Sequence, residues 1–190
     1  MNRLDIEWAY LRLANRFLAE NVVLPEVYRS LVPVKGTGGA GGLSQLTIGN
    51  ILLCLKRLQA APLSDADQAE LTELCKQIEQ VRDRWRVNWE RKARRERSDL
   101  LQPWLVYLEE LAANTDRYSR SYPSQVRLRV IIYLLDEEIG TRQALGEDTV
   151  LDQQDGLLRS ISSRGPFVWE TDLAEGFQEK DCWFLFRSFG

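Results

Sequence analysis

The residues with the clearest chemical potential are the arginines between Arg82 and Arg97. This segment holds eight Lys and Arg against three Asp and Glu, a local balance of +5. Guanidinium groups bind carboxylates and phosphates through paired N–H donors. The pattern fits the solvated face of a surface helix, a dock for an acidic protein partner or a surface that contacts nucleic-acid phosphates. The candidate binding residues are Arg84, Arg91, Arg94, Arg95 and Arg97.

Two tryptophans lie inside the same basic segment. Trp85 and Trp89 are four residues apart and therefore share a face of any helix. If they were exposed beside the arginines, they could stack on nucleic-acid bases. Because both also continue an apolar stripe at helical spacing, the sequence favours core or helix–helix packing for them.

A glycine-rich loop offers a second chemistry. Gly36-x-Gly38-x-x-Gly41 fits the G-x-G-x-x-G pattern, in which backbone amides approach a phosphate ahead of a helix. However, a helix and not a βαβ unit precedes it, no acid follows at the expected distance, and no Lys-Ser/Thr follows the glycines. The sequence therefore favours a flexible loop, with anion contact at Gly36, Gly38, Gly39 and Gly41 as the alternative.

The string Gly36-Thr37-Gly38-Gly39 also resembles the GTGG loop of the tryptophan/indoleamine dioxygenase family of helical haem enzymes. That resemblance would imply a haem, which the family ligates through a histidine ahead of the loop. This chain contains no histidine. No residue and no cofactor is therefore assigned from the resemblance.

The absence of histidine also limits other chemistry. It removes the commonest general base, the Ser-His and Cys-His nucleophile pairs and a common zinc ligand. Cys54, Cys75 and Cys182 are odd in number and widely spaced, which indicates buried thiols in a reducing compartment. The acids Asp136–Glu138 are adjacent and are interpreted as surface residues. We expect no metal and no cofactor, and the composition favours a non-enzymatic function.

The arginines are predicted to lie on one long amphipathic helix from Ser64 to Arg97. Ser64 and the acids that follow it form a helix-start pattern. At 1.5 Å per residue the helix would be roughly 50 Å long. We expect it to break or kink between Ser98 and Gln102, with Pro103 in the first turn of the next helix. Its apolar stripe consists of Leu71, Leu74, Cys75, Ile78, Val81, Trp85, Trp89 and Ala93.

Further helices are predicted around this one, and the tail has a different character. The predicted helices are Leu4–Glu20, Leu43–Gln59, one that starts at Pro103, one that Ser124 caps and Gly140 ends, and one from Glu147 to about Ser162. Phe167–Trp169 and Cys182–Phe186 look extended and are predicted to pair as a small hairpin. The aromatic tail either closes over the helical core or forms an exposed partner surface, and the sequence favours closure.

The sequence therefore predicts a mainly α fold, a bundle of about six helices around one long amphipathic helix, with a small extended, aromatic C-terminal segment. Residues 1–165 would form the helical domain, and residues 166–190 would pack on it as part of a single domain. The stretch from Asp136 to Asp181 carries twelve acids against four bases, so that it could neutralise the basic helix end within one chain or between two copies.

We expect a cytoplasmic protein without a membrane span, because the apolar part of the longest uncharged stretch is too short to cross a bilayer. The favoured function is a protein-interaction or assembly module, with a protein partner or self-association. The alternatives are a nucleic-acid binder that uses Arg82–Arg97 and a helical protein that binds a small ligand or cofactor at loop 36–42.

Overall fold

The computed structural model describes residues 3–23, 29–30, 45–140 and 147–190, and it confirms a mainly α fold. The described α-helices are α1 (Arg3–Asn21), α2 (Ile48–Ala60), α3 (Asp65–Arg84), α4 (Arg86–Ala113), α5 (Thr115–Tyr118), α6 (Tyr122–Ile139) and α7 (Glu147–Ser160). Two small antiparallel pairs accompany them: β1 (Arg29–Ser30) with β2 (Gln45–Leu46), and β3 (Ser163–Arg164) with β4 (Arg187–Ser188).

The chain forms two compact units, Met1–Glu96 and Arg97–Gly190, and the boundary falls within α4. We call them the first and the second unit. The interpretation of residues 1–165 and 166–190 as parts of a single domain stays a prediction.

In the first unit, α1 packs on both α2 and α3. This arrangement suits a helix that carries apolar residues on two sides, as α1 does. Trp8, Tyr10 and Leu11 of α1 are buried, and so are Ile51 of α2 and Leu71 of α3. A buried ion pair at 2.6 Å between Glu7 Oε1 and Arg57 Nε also joins α1 to α2.

Helix α2 begins at Ile48, five residues after the predicted start. Gln45 and Leu46 pair with β1 instead, and Thr47 has the extended φ of −129° that is typical of an N-cap. The Thr47 hydroxyl accepts a hydrogen bond from the amide of Asn50 at 3.1 Å, and the Glu96 carboxylate accepts one from the amide of Gly49 at 2.9 Å. Two backbone donors at this helix start are therefore satisfied by side chains.

The long helix predicted from Ser64 to Arg97 is interrupted at Trp85 and not at Ser98–Gln102. Trp85 has φ −120° and ψ 33°, outside the helical range. Its amide still donates to the Val81 carbonyl at 3.0 Å, and its carbonyl accepts from the Trp89 amide at 2.9 Å. The interruption is therefore a local departure from helical dihedral angles that keeps these two helical hydrogen bonds.

Helix α4 continues through Pro103, where the sequence predicted a break. Proline removes one backbone donor and disfavours helix for the residue before it. Here the exposed Pro103 is flanked by the buried side chains of Leu101 and Trp104. Burial of these two side chains holds the turn in place despite the lost hydrogen bond.

The second unit is built on the C-terminal half of α4, on α6 and on the tail. Its core includes Leu108 of α4, Val126 and Val130 of α6, and Phe177 and Phe184 of the tail. The Tyr122 hydroxyl donates to the Phe184 carbonyl at 2.5 Å, and the Trp169 indole donates to the Pro123 carbonyl at 2.7 Å. The tail closes over α6, as the favoured interpretation predicted.

Two boundaries in the second unit differ from the prediction. The paired strands are β3 and β4, on either side of the aromatic segments, and Trp183–Leu185 forms a turn of 3-10 helix. Backbone bonds from Val168 to Leu185 and from Gly165 to Phe186, both 2.9 Å, still hold the two segments together. Helix α6 begins at Tyr122, so Ser124 lies inside it and is not its cap. Gly140 ends it with φ 62°, as predicted.

Candidate interaction surface

The first turns of α4 have one buried face and one basic face. Trp89 is 1 % exposed and Ala93 is 0 % exposed, and Glu96 is buried on the same side. Residues at spacings of four, seven and eight lie together on a helix surface. On α4 this relation joins Val87, Arg91, Arg94 and Arg95, and all four are exposed. We call these four residues the basic face.

Apolar surface accompanies the basic face at the interruption between α3 and α4. Val87 is 79 % exposed and Trp85 is 36 % exposed. The Arg84 guanidinium carbon lies 5.6 Å from the centroid of the Trp85 ring, a cation–π contact of about 0.5–1 kcal/mol at an exposed site. An indole and an isopropyl group are thus presented to solvent among arginines.

The other cations of the segment have different surroundings. Arg86 Nε lies 3.0 Å from Glu90 Oε1 in an exposed ion pair, and Arg82 Nε lies 3.6 Å from Asp83 Oδ1. Lys92 is buried on the side of Trp89. Arg91, Arg94 and Arg95 are exposed at the centre of the surface, and the exposed Arg84 lies beside Trp85.

Arg97 does not belong to this surface, although the sequence placed it among the candidate binding residues. Its side chain is 3 % exposed and forms an ion pair with Asp136. Its position on the helix explains this burial. Arg97 follows Ala93 by four residues and Trp89 by eight, so it lies on the same buried side of α4. In this ion pair, the Asp136 carboxylate is the partner of the buried Arg97 guanidinium.

The tail does not provide an exposed aromatic patch. Among the described residues, the large apolar side chains that are exposed are Trp85, Val87, Val106 and Val150. Trp183 is half-buried, with the guanidinium carbons of Arg159 and Arg187 at 4.0 and 5.6 Å from its ring. These contacts stabilise the tail on its own unit.

Burial raises the pKa values of three tyrosines and one cysteine among the described residues. Burial raises the pKa of Tyr107 and of Tyr133 to about 12 and also raises the pKa of Tyr122. Burial likewise raises the pKa of the Cys75 thiol, which keeps it protonated and weakly nucleophilic at neutral pH. These shifts keep the groups neutral and do not activate them for catalysis.

Within the described ranges, no group of three or more Cys, Asp and Glu side chains is arranged to hold a metal ion. In the same part of the chain, no helix combines the length and apolar character needed to cross a membrane. The predicted anion contacts at Gly36, Gly38, Gly39 and Gly41 lie outside the described residues.

Comparisons with protein families, with curated proteins and with solved structures give no match for this chain. Its possible roles therefore follow from its own residues.

Proposed function

We propose that this protein is a non-enzymatic interaction module that docks an acidic protein segment on the basic face and on the neighbouring Trp85. The observation that carries the proposal is the 79 % exposure of Val87 on the helix face of three exposed arginines, with Trp85 two residues away. A solvated helix face does not need an exposed tryptophan and valine, whereas a docking surface uses them.

The residue types fit the energetics of protein recognition. Tryptophan and arginine are enriched among the residues that contribute most of the binding energy at an interface. They make this contribution when a partner covers them. Each guanidinium can form two parallel hydrogen bonds with one carboxylate. Charge complementarity also steers the encounter and suppresses basic partners.

The geometry indicates the chemistry of the partner. Arg91 and Arg95 are one helical turn apart, about 5.4–6 Å along the axis. A matching segment therefore carries acidic side chains at the spacing of one turn and an apolar side chain that covers Val87 and Trp85.

A direct binding measurement tests the proposal. The probe is a fluorescein-labelled peptide with Glu and Leu at helical spacing, followed by fluorescence anisotropy, and a poly-Glu peptide of equal charge serves for comparison. The basic-face variant carries Arg91→Glu, Arg94→Glu and Arg95→Glu. We expect it to weaken binding of the Glu/Leu peptide by at least about tenfold, the equivalent of 1.4 kcal/mol.

A matched control separates the surface from net charge. The control variant carries Arg16→Glu, Arg117→Glu and Arg120→Glu, three exposed arginines on other elements. It changes the charge of the chain by the same amount and should bind normally, with thermal unfolding of both variants showing that they fold. Equal loss of binding in the two variants would contradict docking on the basic face.

Trp85→Ala isolates the apolar contribution, because it leaves every charge in place. We expect it to weaken binding of the Glu/Leu peptide more than binding of poly-Glu. If both peptides lose affinity equally, the surface recognises charge alone and the apolar part of the proposal is wrong.

Binding of single-stranded nucleic acid is a second candidate, and the exposed Trp85 ring beside Arg84 favours it. An aromatic ring that stacks on a base contributes about 1–3 kcal/mol, and arginines that contact phosphates make binding strongly salt-dependent. Anisotropy with a labelled oligodeoxythymidine at low salt tests this candidate. The unsubstituted protein could bind the oligonucleotide more tightly than the Glu/Leu peptide, and the basic-face variant could lose this binding. That result would show that the partner is nucleic acid and not a protein.

A further inference from the structure

Three buried polar atoms in the second unit have no hydrogen-bond partner among the described residues: Trp104 Nε1, Arg129 Nη1 and Gln154 Oε1. The three residues are between 0 and 7 % exposed. A buried polar group without a partner costs about 1–3 kcal/mol. Each of these three groups therefore needs a polar partner that the described residues do not supply.

Their side chains belong to one continuous set of contacts. The Trp104 ring lies 5.8 Å from that of Tyr107, and the Tyr107 ring lies 6.4 Å from that of Tyr122. The Tyr122 hydroxyl donates to the Phe184 carbonyl. This half of the set runs from α4 through α6 to the tail.

The second half returns from the tail to α4. The Arg129 guanidinium carbon is 4.4 Å from the Phe184 ring, and its Nε and Nη2 each donate to the Asp155 carboxylate at 2.8 Å. Next to Asp155 on α7, Gln154 donates through Nε2 to the Leu101 carbonyl at 3.0 Å. Leu101 precedes Trp104 by one helical turn, so the set of contacts closes on itself.

The direction of the remaining atoms follows from the bonds already made. Asp155 occupies the Nε/Nη2 edge of Arg129, so Nη1 points away from it. The amide of Gln154 cannot be reversed, because its oxygen would then face the Leu101 carbonyl and two acceptors would meet. Its Oε1 therefore lies beside the turn of α4 that carries the Trp104 indole.

We propose that an ordered water molecule is bound between α4, α6 and α7, where it accepts from Trp104 Nε1 and Arg129 Nη1 and donates to Gln154 Oε1. Water is the smallest ligand that can both accept two hydrogen bonds and donate one, and buried waters typically make about three. An anion without a proton, such as chloride or sulfate, cannot donate to Gln154, and Asp155 already balances the charge of Arg129. The chemistry therefore selects a neutral ligand.

Water contacts of single indole groups can be measured by NMR on protein labelled with ¹⁵N-tryptophan. We expect the Trp104 indole proton to show a nuclear Overhauser effect at the water frequency, with the sign of a long-lived bound molecule. Trp169 is the internal control, because its residue is 8 % exposed against 0 % for Trp104 and its indole already donates to the Pro123 carbonyl at 2.7 Å. The Trp104→Phe variant assigns the signal.

The Gln154→Met variant removes the acceptor with a side chain of similar length, and we expect the water signal of Trp104 to be lost in it. The proposal is wrong if the Trp104 indole of the unsubstituted protein shows no more water contact than that of Trp169. It is also wrong if a crystal structure shows another molecule bound to the three atoms or shows them bonded to one another. Both of these measurements use the unsubstituted protein and so hold even where a variant fails to fold.

Discussion

At the scale of single residues, burial separates ion pairs that otherwise look alike. Arg129–Asp155 and Arg164–Glu179 are both bidentate, with N–O distances of 2.6–2.8 Å. The side chains of the first pair are 9 and 12 % exposed, and those of the second are 78 and 37 % exposed. Water can replace a partner that is lost from the second pair, but it has little access to the first.

We therefore predict that Asp155→Ala lowers the free energy of unfolding by about 3–5 kcal/mol, because it leaves the Arg129 charge buried without its carboxylate. Urea unfolding followed by tryptophan fluorescence measures the change. Glu179→Ala is the matched control in the same unit and should have a much smaller effect. Equal losses in the two variants would show that burial of the pair does not decide its contribution.

The buried tyrosines make stability depend on alkaline pH. Burial raises the pKa of Tyr107 and of Tyr133 from 10 to about 12 in the folded state. Between these values the unfolded chain releases protons that the folded protein keeps, so the folded state loses relative stability as the pH rises. The contribution is complete below pH 10 and is lost as the pH passes through about 12.

We predict that the urea midpoint falls between pH 10 and pH 12 and that the fall is smaller in a Tyr107→Phe, Tyr133→Phe double variant. Absorbance at the tyrosinate band gives the titration of the folded protein independently. An unchanged pH profile in the double variant would assign the alkaline sensitivity to other groups.

The sequence wrongly counted Arg97 among the exposed arginines, and it wrongly favoured core packing for Trp85, which is 36 % exposed. Helical spacing placed Trp89 and Ala93 in the core, and the structure confirms this placement. The same helical spacing places Arg97 on the buried side, but the sequence prediction grouped it with the other arginines because of its charge. A buried arginine needs a carboxylate from a distant part of the chain, here Asp136, and no local pattern identifies such a partner.

At the scale of elements, local capping signals predicted two helix ends, at Ser64 and at Gly140, and failed at Ser124, which lies inside α6. The Ser64 hydroxyl accepts from the Asp67 amide at 3.2 Å and donates to the Asp67 carboxylate at 2.6 Å, and α3 begins at the next residue, as predicted. Gly140 likewise ends α6. Such signals involve residues within one turn, so sequence alone contains them.

Ser64→Ala should therefore lower the free energy of unfolding by about 1 kcal/mol, within the range of 0.5–2 kcal/mol for the loss of an N-cap. Thr72→Ala is the control on the same helix. Its hydroxyl donates to the Gln68 carbonyl, which the helix already uses, and alanine has the higher helix propensity. Thermal unfolding of the two variants should show a loss for Ser64→Ala alone, and a loss of equal size for Thr72→Ala would contradict the capping role.

Interruptions inside helices were predicted poorly. The sequence placed the break before Pro103, whereas the backbone leaves helical geometry at Trp85 and passes through Pro103. Local preference is outweighed at Pro103 by the burial of Leu101 and Trp104 on either side. Nothing local at Trp85 forbids a helix, so its geometry depends on packing that the sequence pattern does not show.

At the scale of the whole molecule, the two halves of the sequence carry opposite charge. Residues 1–96 hold 15 Lys and Arg against 12 Asp and Glu, which gives +3, and residues 97–190 hold 10 against 16, which gives −6. The net charge of the whole chain, −3, is the sum of these two opposite values. Residues 97–190 of every copy therefore carry net negative charge, as the proposed partner segment does.

We predict that a second copy competes for the basic face through its acidic half, which gives weak self-association that salt suppresses. Raising the ionic strength from about 0.05 to 0.5 M shortens the screening length from about 14 to 4 Å, so that contacts between exposed charges weaken. Sedimentation velocity at the two salt concentrations should show a larger average mass at low salt and a monomer at high salt.

The two arginine variants give opposite predictions for this association, although they change net charge equally. The basic-face variant removes the cationic surface and should be monomeric at low salt. The control variant leaves that surface intact and makes residues 97–190 more acidic through Arg117→Glu and Arg120→Glu, so it should associate at least as strongly as the unsubstituted protein. If both variants lose association together, net charge and not a defined surface controls it. A monomer in the unsubstituted protein at low salt would leave the basic face to a partner other than a second copy.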